Sequence, residues 1–316
     1  MAKGNVEMIH LSDAALCPLG CLLRWLGRVP VAVSVHGLDV IYPSLIYQTM
    51  MRRCLPCMDR VICNSQHTQT ECIRCGAPAA HCPVVSPGVD SGMQLGMPDP
   101  ERQSRASRWG VEVAVAGRHV MLTAGRLVPR KGVARFVAEA LPQLRRKRND
   151  WVYLVAGEGP ERARIEGAIG RHGLSEHVEL LGAISDADLW AAYILADVFV
   201  MPNVPMAGNP EGFGMVVLEA RAAGTPVVAA DIEGIREAAG GAEDSTLVQP
   251  ADWPALLAAI ENRLDRDEGA EAREQRRQRV LAQFAWPHVA ARYLAVFRDM
   301  MGEFNQHRGK EVAHRG

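Results

Sequence analysis

The bulk properties of the chain are those of an ordinary globular protein with room for more than one domain. Its 316 residues can form two domains that each bury a core, and its 48% hydrophobic and 22% charged content is typical of such proteins. The formal net charge of −1 excludes a global electrostatic field that would attract nucleic acid. The chain contains no run of about 18 apolar residues, so no membrane-spanning helix is predicted. The first residues lack the basic and then apolar pattern of a signal peptide, so we expect the cytoplasm as the compartment.

The first 90 residues predict a small α/β unit. Apolar runs predict strands at 6–10, 30–36, 60–64 and 83–86, and helical patterns fill 14–27, 44–57 and 67–76. The stretch 91–118 is poorly patterned and contains two prolines, so we interpret it as the connection to a second domain. These observations place a first domain at 1–105.

From residue 119 onward, continuous apolar strands alternate with helices. The predicted strands are 119–124, 151–156, 177–181, 197–201, 226–230 and 245–248, and the predicted helices are 132–147, 160–171, 186–195, 214–223, 233–239 and 252–264. This alternation predicts a parallel sheet covered by helices on both faces. We place the second domain at 106–282, a final amphipathic helix at 283–305 and a frayed tail at 306–316.

The segment 201–224 carries the strongest chemical signal. A strand ends at Met201, a loop rich in Pro, Asn and Gly follows, and a helix is predicted to begin near Gly214. Such a junction offers backbone N–H groups and the positive end of a helix dipole to an anion. Glu211 and Glu219 flank this junction, so a diphosphate linking two polyols suits it, with one glutamate for each sugar. The alternative is structural, with Glu219 facing solvent and Glu211 capping a turn.

This segment resembles the E-x7-E motif of retaining glycosyltransferases of family four, which have the GT-B fold. Five further segments are similar to parts of that family, and the likeness extends from about residue 5 to 304. They are Gly125–Gly132, Val155–Pro160, Leu181-Gly182, Val84–Asp90 and Phe284–Trp286. The resemblance implies two Rossmann-like, doubly wound α/β domains facing a cleft. The family's opening strand and glycine-rich turn have no counterpart here, so we expect an incomplete N-terminal domain.

The resemblance also implies roles at the matching positions. Arg126 and Lys131 would bind the donor diphosphate and stabilise it as it leaves, which makes physical sense because two fixed cations offset its growing charge without a metal. Glu211 would contact the transferred sugar, and Glu219 would hold the ribose hydroxyls. The remaining donor-binding positions, several of them acting through main-chain groups, are Gly125, Gly157, Leu181, Phe213, Gly214, Met215 and Val216.

A second candidate position lies in the first domain. His36 ends a predicted strand and begins the sequence His-Gly-Leu-Asp, which ends at Asp39. In the family a histidine at this strand end faces the sugar across the cleft, so the resemblance implies a catalytic role for His36. Asn64, at the end of the next strand, resembles another cleft-facing position.

Two other patterns are interpreted as structural. All eight cysteines lie between Cys17 and Cys82, and two pairs with C-x2-C spacing approach the pattern of a zinc ribbon. Because both pairs fall in predicted helices, we expect buried free thiols and no zinc. Asp186-Ala-Asp188 imitates the D-x-D of metal-dependent transferases, but it follows Ser185 at a predicted helix start, where acidic residues favour the dipole.

These patterns predict transfer of a sugar from a GDP- or UDP-linked donor to a saccharide or lipid-linked acceptor, with retention of configuration. No cofactor, metal or nucleic acid partner is expected. Contact with the inner face of a membrane is compatible with the sequence. Alternatives are a nucleotide-sugar epimerase, a glycosyl phosphorylase, and a non-catalytic protein that retains only nucleotide-sugar binding.

Overall fold

The computed structural model describes residues 6–27, 29–90, 117–241, 243–266 and 268–313, together with the single residues 104, 107 and 109. The chain forms two compact units. The first contains residues up to Gly88, the segment Ala207–Phe213 and residues from Phe284 on, and the second contains Val89–Met206 and Gly214–Gln283. The predicted change of domain at residue 105 lies outside the described residues.

The first unit contains a parallel three-stranded sheet in the order β1-β2-β3. Its strands are β1 (Ile9–Leu11), β2 (Val31–Val35) and β3 (Arg60–Cys63). Its helices are α1 (Cys17–Gly27), α2 (Leu38–Ile41), α3 (Leu45–Cys54) and α4 (Gln66–Arg74), and the C-terminal helix, α13, is Trp286–Ala313. The predicted strand at 83–86 is reduced to one bridge between Cys63 and Val84, because Pro83 and Pro87 have no N–H for a ladder.

The second unit contains six parallel strands in the order β6-β5-β4-β7-β8-β9. They are β4 (His119–Ala124), β5 (Trp151–Ala156), β6 (Val178–Gly182), β7 (Val198–Met201), β8 (Val227–Ala230) and β9 (Ser245–Val248). On one side of β4, β5 pairs with β4 and β6 pairs with β5. The next strand in the chain, β7, pairs with the other side of β4. The strand order therefore reverses between β4 and β7, which is where open α/β sheets bind ligands.

Helices separate these strands, as the alternation predicts. They are α5 (Val133–Arg135), α6 (Leu141–Lys147), α7 (Arg162–His172), α8 (Asp186–Leu195), α9 (Met215–Ala222), α10 (Ile235–Ala239), α11 (Trp253–Leu264) and α12 (Ala270–Phe284). A π turn, Phe136–Ala140, joins α5 to α6. Pro142, which has no N–H to donate, lies just beyond this turn, so the helix predicted at 132–147 changes its hydrogen-bond pattern there.

Buried charges connect α9, α12 and the loop before β9. Asp244 is 3% exposed and accepts hydrogen bonds from Arg221 at 3.1 Å and from Arg279. Arg276 lies 3.8 Å from the same carboxylate and donates at 2.7 Å to Glu268. Burial opposes ionisation of Asp244, but the bonds from Arg279 and Arg221 prevail and lower its pKa. This arrangement ties the end of the sheet to the helices that cover it.

All eight cysteines are free thiols in the first unit. Five of them are buried, and burial raises the pKa of the Cys17 thiol to about 12. The expectation of buried thiols is wrong for Cys57, which is exposed because α3 has given way to a short 3-10 turn at Leu55–Cys57. Within the described ranges, no group of three or more His, Cys, Asp or Glu side chains is arranged to hold a metal ion.

Candidate functional site

The loops that leave β4, β5 and β7 are joined at the carboxyl edge of the second sheet. The N–H of Gly125 donates to the carbonyl of Ala156 at 2.9 Å, and the N–H of Leu127 donates to Glu158 at 2.8 Å. On the other side of the switch point, the N–H of Val204 donates to the carbonyl of Arg130 at 2.9 Å. The loops that carry the predicted donor residues of this unit therefore meet at one edge.

Lys131 is held at this edge by a short 3-10 turn, Pro129–Lys131, that follows β4. Its side chain is buried and passes over Gly125: a methyl group placed on Gly125 would lie 3.6 Å from Cε and 3.8 Å from Nζ of Lys131. Arg126, by contrast, is exposed. The lysine is thus preorganised beside the switch point, and the arginine projects from the same loop into solvent.

Helix α9 begins at the predicted junction. Gly214 is its N-cap with φ 82° and ψ 51°, a left-handed conformation in which a side chain is strained. The first bond of the helix runs from the N–H of Val217 to the carbonyl of Gly214 at 2.9 Å. The N–H groups of Met215 and Val216 precede that bond, so they belong to the set that an α-helix leaves for a cap or a ligand.

Glu219 lies one turn into α9, on the helix that begins at this junction. Its Oε2 accepts a hydrogen bond from the Tyr193 hydroxyl of α8 at 2.8 Å. Burial raises the pKa of Glu219, the bond from Tyr193 opposes that rise, and the charge of Asp186 adds to it. Tyr193 thereby orients the carboxylate, a role that no local pattern in the apolar sequence of α8 indicates.

Glu211 belongs to the first unit, with the predicted site residues of β2 and β3. Its side chain is buried, and Phe213 is buried beside Phe284 with ring centroids 6.4 Å apart. A methyl group on Gly212 would lie 2.6 Å from the carbonyl oxygen of His36, so only glycine allows the loop to approach the end of β2 this closely. The loop of Glu211 is therefore packed against the carboxyl end of the first sheet.

His36 is exposed and its ring is fixed by a hydrogen bond. Nε2 lies 3.0 Å from the carbonyl oxygen of Ser12, which can only accept, so Nε2 carries the proton and Nδ1 is the acceptor in the neutral ring. The carbonyl of His36 accepts from Asn64 Nδ2 at 3.2 Å. The first unit thus brings His36, Asn64 and the Glu211 loop together.

Asp39 explains part of the His-Gly-Leu-Asp pattern in structural terms. Its carboxylate accepts the backbone N–H of His36 at 2.9 and 3.0 Å and that of Ala14 at 3.4 Å. Burial raises the pKa of Asp39, while these two N–H groups act to lower it. Asp39 therefore fixes the end of β2, and its part in the pattern is to position His36.

The structure also explains Asp186 and Asp188, whose spacing resembles the D-x-D motif of metal-dependent transferases. They occupy the first turn of α8, and the Ser185 hydroxyl accepts from the N–H of Asp188 at 3.2 Å. This is an N-cap, as the sequence predicts.

The predicted site residues divide between the two units. The first unit contains His36, Glu211 and Phe213. The second unit contains Gly125, Arg126, Lys131, Gly157, Leu181, Gly214, Met215, Val216 and Glu219.

Two family models match the chain. The model described as glycosyl transferases group 1 matches residues 111–280, and the model described as glycosyltransferase family 4 matches residues 1–92. The chain belongs to glycosyltransferase family 4. It is a glycosyltransferase of the GT-B fold, which confirms the fold class and the enzyme class that the E-x7-E segment predicts.

Mycobacterial relatives of this family 4 member act on inositol lipids according to their names. A GDP-mannose-dependent alpha-(1-6)-phosphatidylinositol monomannoside mannosyltransferase of Mycolicibacterium smegmatis is 33% identical over 82% of the chain and 68% of the relative. A phosphatidyl-myo-inositol mannosyltransferase of Mycobacterium leprae is 33% identical over 95% of the chain and 75% of the relative.

Solved structures share the fold of this family 4 member. A glycosyltransferase of Rickettsia africae matches with a TM-score of 0.78 at 18% identity, over 94% of this chain and 77% of that one. HepE of Anabaena in complex with UDP and glucose matches with a TM-score of 0.70 at 21% identity, over 98% of this chain and 78% of that one.

Proposed function

We propose that this family 4 enzyme transfers a hexose from a nucleoside-diphosphate sugar to an acceptor hydroxyl with retention of configuration. The observation that carries the proposal is the switch point between β4 and β7, where buried Lys131 and the start of α9 flank one edge of the sheet. Open α/β sheets bind ligands at such a point, and both features favour an anion. The names of the mycobacterial relatives favour GDP-mannose as the donor and an inositol-linked lipid as the acceptor.

The proposed chemistry uses side chains and backbone groups without a metal. Lys131, Arg126 and the first N–H groups of α9 would stabilise the nucleoside diphosphate as it leaves. Glu219, oriented by Tyr193, would hold the ribose hydroxyls. Glu211 and His36 would contact the transferred sugar. The remaining residues that would line the donor site are Gly125, Gly157, Leu181, Phe213, Met215 and Val216. The acceptor would attack the face from which the diphosphate leaves, and the departing phosphate would take its proton.

Replacing Glu211 with glutamine tests this assignment. We expect transfer from GDP-mannose to a phosphatidylinositol mannoside to fall by about 10²-fold or more, because the variant removes a carboxylate that is proposed to contact the reacting sugar. Product formation is measured by mass spectrometry, and the anomeric configuration by NMR. Glu7→Gln, at an exposed position of the same unit, is the matched control.

The remaining outcomes separate the alternatives. Equal transfer rates for wild type and Glu211→Gln would reject the role of Glu211. Conversion of the donor without an acceptor would indicate an epimerase, and a sugar phosphate formed from inorganic phosphate would indicate a phosphorylase. Binding of the nucleotide without turnover over an acceptor panel would indicate a non-catalytic binding protein.

We further propose that the first unit contacts the surface of a membrane carrying the lipid-linked acceptor, on its cytoplasmic face. None of the described helices is long and apolar enough to cross a bilayer. The first turn of α3 nevertheless presents Leu45 and Ile46 at 89% and 84% exposure, and α1 presents Trp25 at 76% and Leu26 at 62%. Arg52 and Arg53 are exposed on α3, so cationic groups accompany the apolar ones, a combination that suits anionic lipid.

The double variant Trp25→Ser/Leu26→Ser tests the membrane contact. We expect at least tenfold weaker partitioning onto phosphatidylinositol-containing vesicles, because each large apolar side chain contributes about 1.5–3 kcal/mol when it leaves water. Binding is measured by co-sedimentation, and Leu294→Ser, an exposed leucine on α13 of the same unit, is the control. Unchanged partitioning, or wild-type self-association that the double variant abolishes, would reject the membrane as the partner of this surface.

A further inference from the structure

The turn that follows β8 contains a strained residue. Glu233 has φ 22°, on the positive side that side chains rarely adopt. Among the described residues, Glu233 and Ala251 are the non-glycine positions with positive φ. Glycine would occupy this backbone conformation without that steric cost, so the glutamate is present despite its effect on stability.

The carboxylate of Glu233 adds a second cost. Its Oε2 is covered and has no hydrogen-bond partner, although the residue as a whole is only half-buried. A covered acceptor without a donor loses its hydrogen bonds to water, and no hydrogen bond within the protein replaces them. The neighbouring Asp231 is already paired with Arg236 at 2.6 Å, so this cation is engaged by another carboxylate. Strain and an unsatisfied group at one residue are characteristic of functional positions.

The position of the turn connects Glu233 to the donor site. Strand β8 is the neighbour of β7, and both end at the same edge of the sheet. Two residues after Glu233, Ile235 packs on the start of α9, since a methyl group on Gly214 would lie 3.4 Å from its Cγ1. The turn therefore supports the helix start that is proposed to bind the diphosphate. A carboxylate here would repel phosphate, but it is a strong acceptor for a hydroxyl.

We propose that Glu233 accepts a hydrogen bond from a hydroxyl of the donor's hexose and thereby helps to select the sugar. The proposal requires a change of rotamer that turns Oε2 from its covered position toward the bound sugar. The proposal rests on the proposed function, because it assumes that a nucleotide sugar binds at this edge. It assigns Glu233 a role distinct from that of Glu219, which would hold the ribose.

Glu233→Gly tests both parts of the inference. Removing the strain is expected to raise Tm by about 2–4 °C. Removing the acceptor is expected to weaken binding of GDP-mannose at least tenfold and to leave GDP binding unchanged, both measured by calorimetry. The preference for GDP-mannose over GDP-glucose should shrink in parallel. Glu233→Gln, which keeps an acceptor oxygen without the charge, should lose less affinity for the sugar.

Ala251→Gly is the matched control, since it relieves a φ of 60° at a position outside the proposed site. It should raise Tm without changing affinity for either ligand. If Glu233→Gly raises Tm and leaves GDP-mannose affinity and sugar preference as in the wild type, the inference is wrong and the strain has no role in donor binding. If wild type binds neither GDP nor UDP, the proposed function itself fails, and the inference fails with it.

Discussion

Replacing Lys131 with alanine is expected to lower kcat for sugar transfer by about 10²–10³-fold, the usual effect of removing one preorganised group that stabilises charge in a transition state. Lys131 is buried and passes over Gly125 at the switch point of the sheet, so its ammonium is held in place before the donor arrives. Charge on the leaving diphosphate grows during the reaction, so the loss should affect kcat more than donor affinity. Steady-state kinetics with separate determination of kcat and KM will check this.

The matched control for this variant is Lys147→Ala. Lys147 is exposed at the end of α6 and pairs with Glu261 at 3.0 Å on the same unit. Thermal unfolding of both variants shows whether the fold is retained. A Lys131→Ala enzyme that folds normally and turns over at the rate of Lys147→Ala would remove Lys131 from the mechanism.

Asp244→Ala is expected to lower the free energy of unfolding by about 3–5 kcal/mol, because it leaves buried arginines without their carboxylate. Arg221 and Arg276 are both buried around Asp244, and Arg279 donates to it from α12. The pKa of Asp244 is lower in the folded state than its ordinary value, so its ionised form stabilises the fold. That contribution is complete above the unfolded pKa of about 3.9 and is lost as the pH falls through the lower folded pKa.

Urea unfolding at pH 7 and at a series of lower pH values measures this effect. The difference between wild type and Asp244→Ala should be largest at pH 7 and should shrink below about pH 4. Asp231→Ala, which breaks the pair with the exposed Arg236, should cost no more than about 1 kcal/mol at pH 7. Equal losses for the two variants would show that the buried charges do not connect the helices to the sheet.

The second unit was the easier part to predict from sequence. The inner strands β4, β5, β7 and β8 are nearly continuous apolar runs because both faces of the sheet are covered there, and glycines and prolines separate the helices. The loop-to-helix junction at Gly214 was predicted within one residue, since glycine and the following apolar helix are both local signals. Lys131 is a predicted site residue because its segment resembles the family, and Glu219 is one because it also lies on the helix that follows the glycine-rich loop; both roles stay predictions.

Contacts between distant parts of the chain were not predictable in the same way. The bond from Tyr193 to Glu219 joins two helices, and neither residue's neighbours in sequence indicate it. The predicted start of a helix at residue 233 was also wrong, because α10 begins at Ile235. The positive φ of Glu233 is incompatible with a helix, and this conformation comes from the packing of the turn and not from local propensity.

The reversal of strand order between β4 and β7 has a consequence for synthesis of the protein on the ribosome. The contact between Thr123 of β4 and Val200 of β7 spans 77 residues of sequence, whereas β5 follows β4 after one helical connection. One edge of β4 therefore stays open while those residues are added, for about 4–15 s at ordinary rates of translation. An open apolar strand edge of this kind is the form in which a nascent chain is prone to pair with another chain. Chaperone binding to that edge, or fast translation that shortens its exposure, is therefore expected to raise the yield of folded enzyme.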